Sequence, residues 1–500
     1  MSDAWTSKFF RRALNHVVLF TGTQVLFLPL NKNYTGRMLI WTIIEQIAVR
    51  SVVFPATGAL QYNHSSPGDP FTMNKKSIAS VADSSVSTAL ASKIFDELAV
   101  ATGDGVGITR SSYGPGETRA IEIVDSRARE LGLRTERDEV ANLIVTLDGS
   151  EPELPFVAAG SHLDSVPQGG NFDGSAGVLA VLVSLAALKA EGVKPRRTIK
   201  LFALRGEESA RFGKPYLGSS ALFGRISPVD LQSRSTDTAE TLAECMGQLG
   251  IDVDRVARGE RFLDPARIAA WFELHIEQGP VLTDRNLPVG IVTGIRGNIR
   301  HRGIQCRGEA GHSGAVPRWL RRDAVFASAE LITHLDRHWR TLLERGRDLV
   351  VTSGMFGTDQ REHALARIPG NVQFSFEARS QSKETLESFY DLFLSECQMI
   401  GEERGVEFIL DRRFDTQPAS MDPDWIKRLR SIAARLGIQT EDLPSGAGHD
   451  AAVFANEGVP SAMIFVRNAN GSHNPHEAMS LNDFGAGAAL MRAAIEEAAQ

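Results

Sequence analysis

Cysteine is scarce, with three in 500 residues: Cys245, Cys306 and Cys397. They are far apart, odd in number and form no Cys-x-x-Cys pair, which argues against a disulfide framework or a thiolate zinc site. They read as buried, reduced thiols of a cytoplasmic protein. Long apolar runs are also missing near the N-terminus. The stretch from Val17 to Leu30 is broken by Thr21, Gly22, Thr23 and Gln24, and it is shorter than the roughly 20 residues that span a bilayer. No membrane partner is expected. Lys8-Phe-Phe-Arg-Arg12 ahead of it gives a faint likeness to a signal peptide, but no small-x-small cleavage site follows. Positive charge is not in excess, and a net charge of -7 gives no electrostatic reason to expect nucleic acid. Neither Gly-x-Ser-x-Gly nor His-Glu-x-x-His occurs, which removes support from serine hydrolases and zincins. Gly103-Asp-Gly-Val-Gly107 lacks the Lys-Ser/Thr ending of a phosphate loop and reads as a flexible turn.

What is there suits a soluble globular chain: 42% hydrophobic and 23% charged residues. At this length two or more domains are expected. Residues 1–72 differ from the rest and are read as an atypical upstream extension, with Met73 as the native start. From about residue 84 the pattern is regular. Helices are expected at 87–98, 118–131 and 178–190, and strands at 142–146, 155–159, 198–203 and 268–274. This alternation implies an α/β domain with a mostly parallel mixed sheet and helices on both faces. After Pro288 the pattern changes. Strands at 289–293, 302–307, 349–352, 372–378 and 406–410 and helices at 321–343 and 383–403 imply a small inserted α+β domain of ferredoxin-like type. The first of those helices carries Ala324, Ala327, Leu331, Leu335 and Leu342 on one stripe. Segments 425–436, 461–466 and 483–499 return to the first domain. The expected divisions are therefore 73–288 and 412–500 for the first domain and 289–411 for the insertion.

Five residues stand out: His162, Asp173, Glu208, His275 and His473. Three imidazoles and two carboxylates suit two divalent metals that share one carboxylate. His162, Glu208 and His275 follow strand-like runs, and sites in open α/β sheets gather at the carboxyl ends of strands. Asp164, two residues beyond His162, is placed to receive the second N–H of a ligating imidazole. The adjacent pair Glu207-Glu208 could divide its work, one side chain binding metal and the other taking a proton from a water whose pKa the metal lowers from ~16 towards ~7. Taken singly these signals are ordinary: a lone histidine is usually not a ligand, and an acidic pair is usually a solvated surface. His449-Asp450 is one further His-Asp pair in a glycine loop.

Seven motifs in order change that balance. They are Ser161-His-Leu-Asp-Ser-Val-Pro167, Phe172-Asp-Gly174, Glu207-Glu208 with Ala210-Arg-Phe212, His275-Ile-Glu-Gln-Gly-Pro280, Gly311-His-Ser-Gly314 with Arg321-Arg-Asp-Ala324, Pro444-Ser-Gly-Ala-Gly-His-Asp450 and Ser472-His-Asn-Pro475. From about Gly105 onward the chain resembles the hydantoinase/carbamoylase family of amidases, within the M20 metallopeptidase-like group. The resemblance implies two metal ions (zinc, manganese or cobalt) held by His162, Asp173, Glu208, His275 and His473, with Asp173 bridging. It implies Glu207 as general base, and His312 on the insertion as a residue that reaches the partner subunit's site in a homodimer and polarises the substrate carbonyl; Asp164, as the partner of His162, joins these two among the expected catalytic residues. It implies Arg379 as the clamp on a substrate carboxylate, with Gln278, Asn298 and His449 near the substrate.

The implied activity is hydrolysis of the ureido C–N bond of N-carbamoyl-L-amino acids to amino acid, ammonia and carbon dioxide. Allantoate or another ureido acid is the alternative substrate. An M20-type peptidase stands behind these, and a non-catalytic binding protein last. Three departures bear on the substrate. Asn298 replaces a frequent Gln, Ser209 replaces a frequent Gly, and Leu365-Ala-Arg-Ile368 lacks the Asn often found before the Pro-Gly pair. If Met73 is the native start, intact-mass analysis of protein expressed from the native gene will give a species beginning there. A species beginning at residue 1 or 2 contradicts it.

Overall fold

The computed structural model describes residues 16–21, 24–29 and 76–500, with side chains from residue 88 onward. Near the N-terminus β1 (His16–Thr21) pairs antiparallel with β2 (Gln24–Pro29), so the interrupted apolar stretch forms a pair of strands. The rest of the expected extension, and Met73, lie outside the described residues. Residues 74–500 make a separate unit.

In that unit α1 (Lys76–Thr102) and α2 (Pro115–Glu130) lead into β3 (Arg134–Arg137), β4 (Leu143–Leu147) and β5 (Phe156–His162). Then come α3 (Ser175–Ala190), β6 (Ile199–Leu204), β7 (Ile268–Ile276) and β8 (Val289–Ile295). α3 is apolar on nearly every side, as a fully buried helix must be. A second sheet follows: β9 (Gly297–Arg307), α4 (Ala324–Glu344), β10 (Val350–Thr352), β11 (Asn371–Ser380), α5 (Lys383–Arg404), β12 (Glu407–Ile409) and β13 (Phe414–Thr416). The chain returns through β14 (Ala419–Ser420), α6 (Pro423–Leu436), β15 (Thr440–Ser445), β16 (Ser461–Val466) and α7 (Leu481–Ala498).

The large sheet runs β14-β8-β16-β7-β5-β6-β4-β3, with β15 also on β8. Its central block, β16-β7-β5-β6, is parallel. β3, β4 and β8 add to it antiparallel. Helices cover both faces. Trp271 on β7 stacks on Phe454 at 3.7 Å between ring centroids, while Leu274, on the opposite face by strand alternation, meets Gly487 of α7.

The second sheet has the order β10-β11-β9-β12 with all neighbours antiparallel. With α4 and α5 this is a β-α-β-β-α-β unit of ferredoxin-like connection, and it has its own core around Phe374, Phe376, Phe389 and Phe393. One boundary differs from expectation. The sequence pattern places residues 289–293 in the insertion, but β8 pairs with β16 and β15 in the large sheet. Its side chains are buried on both faces, so it has none of the alternation that marks a one-sided strand. The second sheet therefore draws on Gly297 to Thr416. Among the described residues no helix is long and apolar enough to cross a membrane.

Gly160 shows how tightly the central strands pack. A Cβ there would lie 1.9 Å from the Phe202 carbonyl oxygen of β6. Gly160→Ala is expected to lower unfolding stability by about 3 kcal/mol or more, measured as a fall in the denaturant midpoint. An unchanged midpoint would contradict this packing.

Candidate metal centre

Three adjacent parallel strands end side by side. β5 finishes at His162, β6 delivers Arg205-Gly-Glu-Glu208, and β7 carries His275 one residue from its end. Asp173 stands on the turn before α3. Gly174 follows it at φ 65, and a Cβ there would lie 2.5 Å from the His162 ring, so glycine allows the turn to close over the imidazole. His473 arrives on the loop after β16, itself at φ 60, a conformation that non-glycine residues adopt at some cost.

The donor atoms converge. Asp173 Oδ1 lies 3.3 Å from His162 Nε2 and 3.2 Å from His275 Nε2. The two Nε2 atoms are 3.4 Å apart. Asp173 Oδ2 lies 3.5 Å from His473 Nε2, which is 3.1 Å from Glu208 Oε1. Two trios result, His162/Asp173/His275 and Asp173/Glu208/His473, each with ligand atoms within 4.8 Å of one another.

The tautomers also suit metal binding. His275 Nδ1 donates to the Ile276 carbonyl at 2.9 Å. His162 Nδ1 lies 3.1 Å from the Asp164 carbonyl and 3.3 Å from its Oδ1. Both Nε2 lone pairs are thereby turned to the common point, and the Gly174 N–H aims at that of His275 from 3.2 Å. The donor set therefore fits two divalent cations.

The electrostatics agree. Burial alone would raise Asp173, yet His275 and His162 hold it well below the usual carboxylate range. Burial would lower His162, but hydrogen bonds to Asp164 and Asp173 carry it well above the ordinary imidazole value. The hydrogen bond to Glu208 raises His473 to about 9. Carboxylates that draw protons onto these rings would equally hold a cation in their place. Glu207 is raised well above its usual range by burial, against the attraction of His162 and with the push of Glu208 and Asp450. Its Oε2 is 3.9 Å from His162 Nε2.

Residues 158–497 match peptidase family M20/M25/M40. The chain belongs to that family. The N-carbamoyl-L-amino acid amidohydrolase of Geobacillus stearothermophilus is 35% identical over 399 residues, 79% of this chain and 94% of that protein. The allantoate amidohydrolase of Escherichia coli is 31% identical over 383 residues, 76% of this chain and 90% of that one. A solved hydantoinase/carbamoylase family amidase from Burkholderia multivorans superposes with a TM-score of 0.74 at 27% identity, covering 82% of this chain and 98% of that one. The motif-based resemblance points the same way.

Of the other expected site residues of this M20 chain, Gln278 and His449 lie against the donor cluster, Arg379 and Asn298 face each other on the second sheet, and His312 stands apart. Gln278 Nε2 donates to Asp173 Oδ2 at 2.8 Å. Arg379 is on β11 directly across from Asn298 on β9. Its Nη1 donates to the Gly446 carbonyl at 2.8 Å and its Nη2 is 3.0 Å from Glu377, so it reaches from the second sheet to a loop of the first domain. His449 is packed behind His275, ring centroids 4.4 Å apart, and meets Ser445 Oγ at 2.9 Å. Burial, then His275, holds it well below the usual imidazole value. His312 is exposed in a short antiparallel pairing beside Arg367, and its Nδ1 accepts the Gly314 N–H; none of its hydrogen bonds reaches the donor cluster.

Several supporting residues escape a reading of motifs. Glu477 Oε1 accepts the N–H groups of Phe172 and Asp173, and the Ser472 hydroxyl lies within hydrogen-bond distance of both Glu477 Oε2 and Asp173 Oδ2, 2.7 and 2.5 Å away. These bonds tie the Asp173 turn to the His473 loop. Glu273, fully buried, accepts from Ser161 Oγ and the Ala451 N–H; its period-two spacing from His275 was the one available signal. Arg110 is fully buried within electrostatic reach of Glu477, Asp173 and Asp164, and nothing in its local sequence marks it.

Asp164 receives His162 Nδ1 together with the N–H groups of Glu207 and Glu208. Asp164→Asn is expected to weaken divalent-metal binding about 10- to 100-fold, measured by chelator competition. Wild-type affinity in that variant would show that Asp164 does not orient the ligand.

Proposed function

We propose that this chain is a homodimeric di-metal amidohydrolase that cleaves the ureido C–N bond of N-carbamoyl-L-amino acids. Water is consumed, and the amino acid, ammonia and carbon dioxide are released. The observation that carries the reading is the meeting of two donor trios on Asp173 with Glu207 beside them. Relatives named for N-carbamoyl amino acids and for allantoate support the ureido class.

His162, Asp173 and His275 would hold one cation and Asp173, Glu208 and His473 the other; zinc, manganese and cobalt all accept such ligands. When bound, the cations supply Lewis acidity, which makes a water acidic and polarises the scissile carbonyl. Glu207 takes the proton of the attacking water and returns it to the leaving nitrogen. Its burial among other carboxylates raises its basicity and suits it to both transfers. Asp164 holds His162 and the Glu207-Glu208 backbone in register.

Arg379 serves the substrate carboxylate, since a guanidinium fork binds a carboxylate with two parallel bonds. Asn298, its cross-strand neighbour, and Gln278, at Asp173, line the same region. His449 supports His275 from behind. His312 acts on the carbonyl oxygen of the partner subunit's substrate, for which an exposed position on the insertion is suitable. Exposed Trp319, Leu320 and Phe326 shortly after it support an interface there.

Glu207→Gln should lower kcat about 10²- to 10⁴-fold while two metal equivalents stay bound; undiminished turnover refutes its role. Mixing Glu207→Gln with His312→Ala, each inactive alone, should restore activity towards about a quarter of the wild-type sites after subunit exchange. No recovery would place His312 outside the partner's site. Ammonia release from N-carbamoyl-L-amino acids, β-ureidopropionate and allantoate, measured side by side, decides the substrate. Exclusive turnover of allantoate would overturn the carbamoylase reading.

A further inference from the structure

Tyr216 is not explained by the chemistry above. It follows the Glu207-Glu208 turn, and its N–H donates to the Glu207 carbonyl at 2.9 Å. Its backbone is left-handed, at φ 60 and ψ 37, which is rare for a bulky aromatic residue and in folded proteins tends to accompany function. The strained backbone carries the ring over the Gly446–Asp450 loop. A Cβ on Gly448 would stand 1.5 Å from the phenol oxygen, so the phenol occupies the place of a side chain at 448. Two residues earlier on that loop the Gly446 carbonyl accepts from Arg379, and two residues later Asp450 Oδ1 accepts from Ser219 Oγ.

The ring is half-buried, and its hydroxyl makes no hydrogen bond among the described residues. Burial, then Glu207 and Asp450, raise the phenol well above its usual range against the pull of Arg379. The hydroxyl therefore keeps its proton and remains a donor without an acceptor, in electrostatic reach of both Glu207 and Arg379.

We infer that Tyr216 is a specificity-determining residue. It faces the carbon between the substrate's ureido group and its carboxylate, and it favours a short substituent that accepts a hydrogen bond there. This rests on the proposed roles of Glu207 at the scissile bond and Arg379 at the carboxylate; Tyr216 is bonded through its backbone to Glu207, and its phenol sits over Gly448, two residues from the carbonyl that Arg379 holds, so it meets what the substrate carries in between. Once the substrate excludes water, a substituent without an acceptor leaves the O–H unpaired, which is costly. A branched apolar substituent meets the ring itself.

The test compares kcat/KM for N-carbamoyl-L-serine, N-carbamoyl-L-alanine and N-carbamoyl-L-leucine. Wild type is expected to prefer the serine compound. Tyr216→Phe, nearly isosteric, should lower the serine-to-alanine ratio about tenfold, and Tyr216→Ala should raise the leucine-to-alanine ratio about tenfold or more. Gly448→Ala should lower the serine-to-alanine ratio when Tyr216 is present and have no such effect on top of Tyr216→Phe. Ratios unchanged within about twofold in Tyr216→Phe and Tyr216→Ala, with wild-type metal content and melting temperature, overturn the inference alone. A wild-type protein that turns over none of the three compounds overturns the carbamoylase reading and this inference with it.

Discussion

The arrangement of the site depends on one buried carboxylate. Asp164 is fully buried and collects His162 Nδ1, the N–H groups of Glu207 and Glu208, and the Ser112 hydroxyl at 2.6 Å. A buried carboxylate is costly unless its oxygens are satisfied, so these four groups are fixed relative to one another as the condition of burying it. One of them belongs to β5, two to the exit of β6, and the fourth, Ser112, to the segment between α1 and α2. The same contact that sets the imidazole tautomer therefore sets the position of the acidic pair, and the spacing between candidate ligand and candidate base follows from one side chain.

Asp173 does for the opposite side of the site what Asp164 does beneath it. Its two oxygens face different donor pairs, and its backbone N–H is held by Glu477. Glu477, through Ser472, also holds the loop that bears His473. The Asp173 turn and the His473 loop, some 300 residues apart in the chain, are thus joined by a carboxylate and a hydroxyl. Arg110 lies behind them as a resident cation in an otherwise acidic region, which limits the repulsion among Asp164, Asp173 and Glu477.

The second sheet approaches this centre by a different route. It has a separate core, and its described polar link near the site is Arg379 to Gly446. Gly446 begins the loop that also passes under Tyr216 and ends at Asp450. One loop thus receives Arg379 of the second sheet, the segment after the acidic pair and, through the Ala451 N–H that follows it, Glu273 below His275. The proposed specificity residue and the candidate metal centre meet there without sharing side chains.

The sequence by itself determined much of this. Strand-helix alternation was enough for an α/β fold with a mostly parallel central sheet, because the 2- and 3.6-residue periods are local. The five candidate donors were legible because each lies in a short motif at a strand end or turn, and the order of the motifs carried the family. Three things were decided only by the tertiary structure. β8 joined the large sheet because both its faces are buried, a property that alternation cannot report. Ser112, Arg110, Glu273 and Glu477 became part of the site because buried charges need partners from distant segments, and no spacing rule encodes that need. Tyr216 gained its place from a left-handed backbone and the missing side chain of Gly448, 232 residues away; a steric complementarity of that kind exists only once the chain has folded.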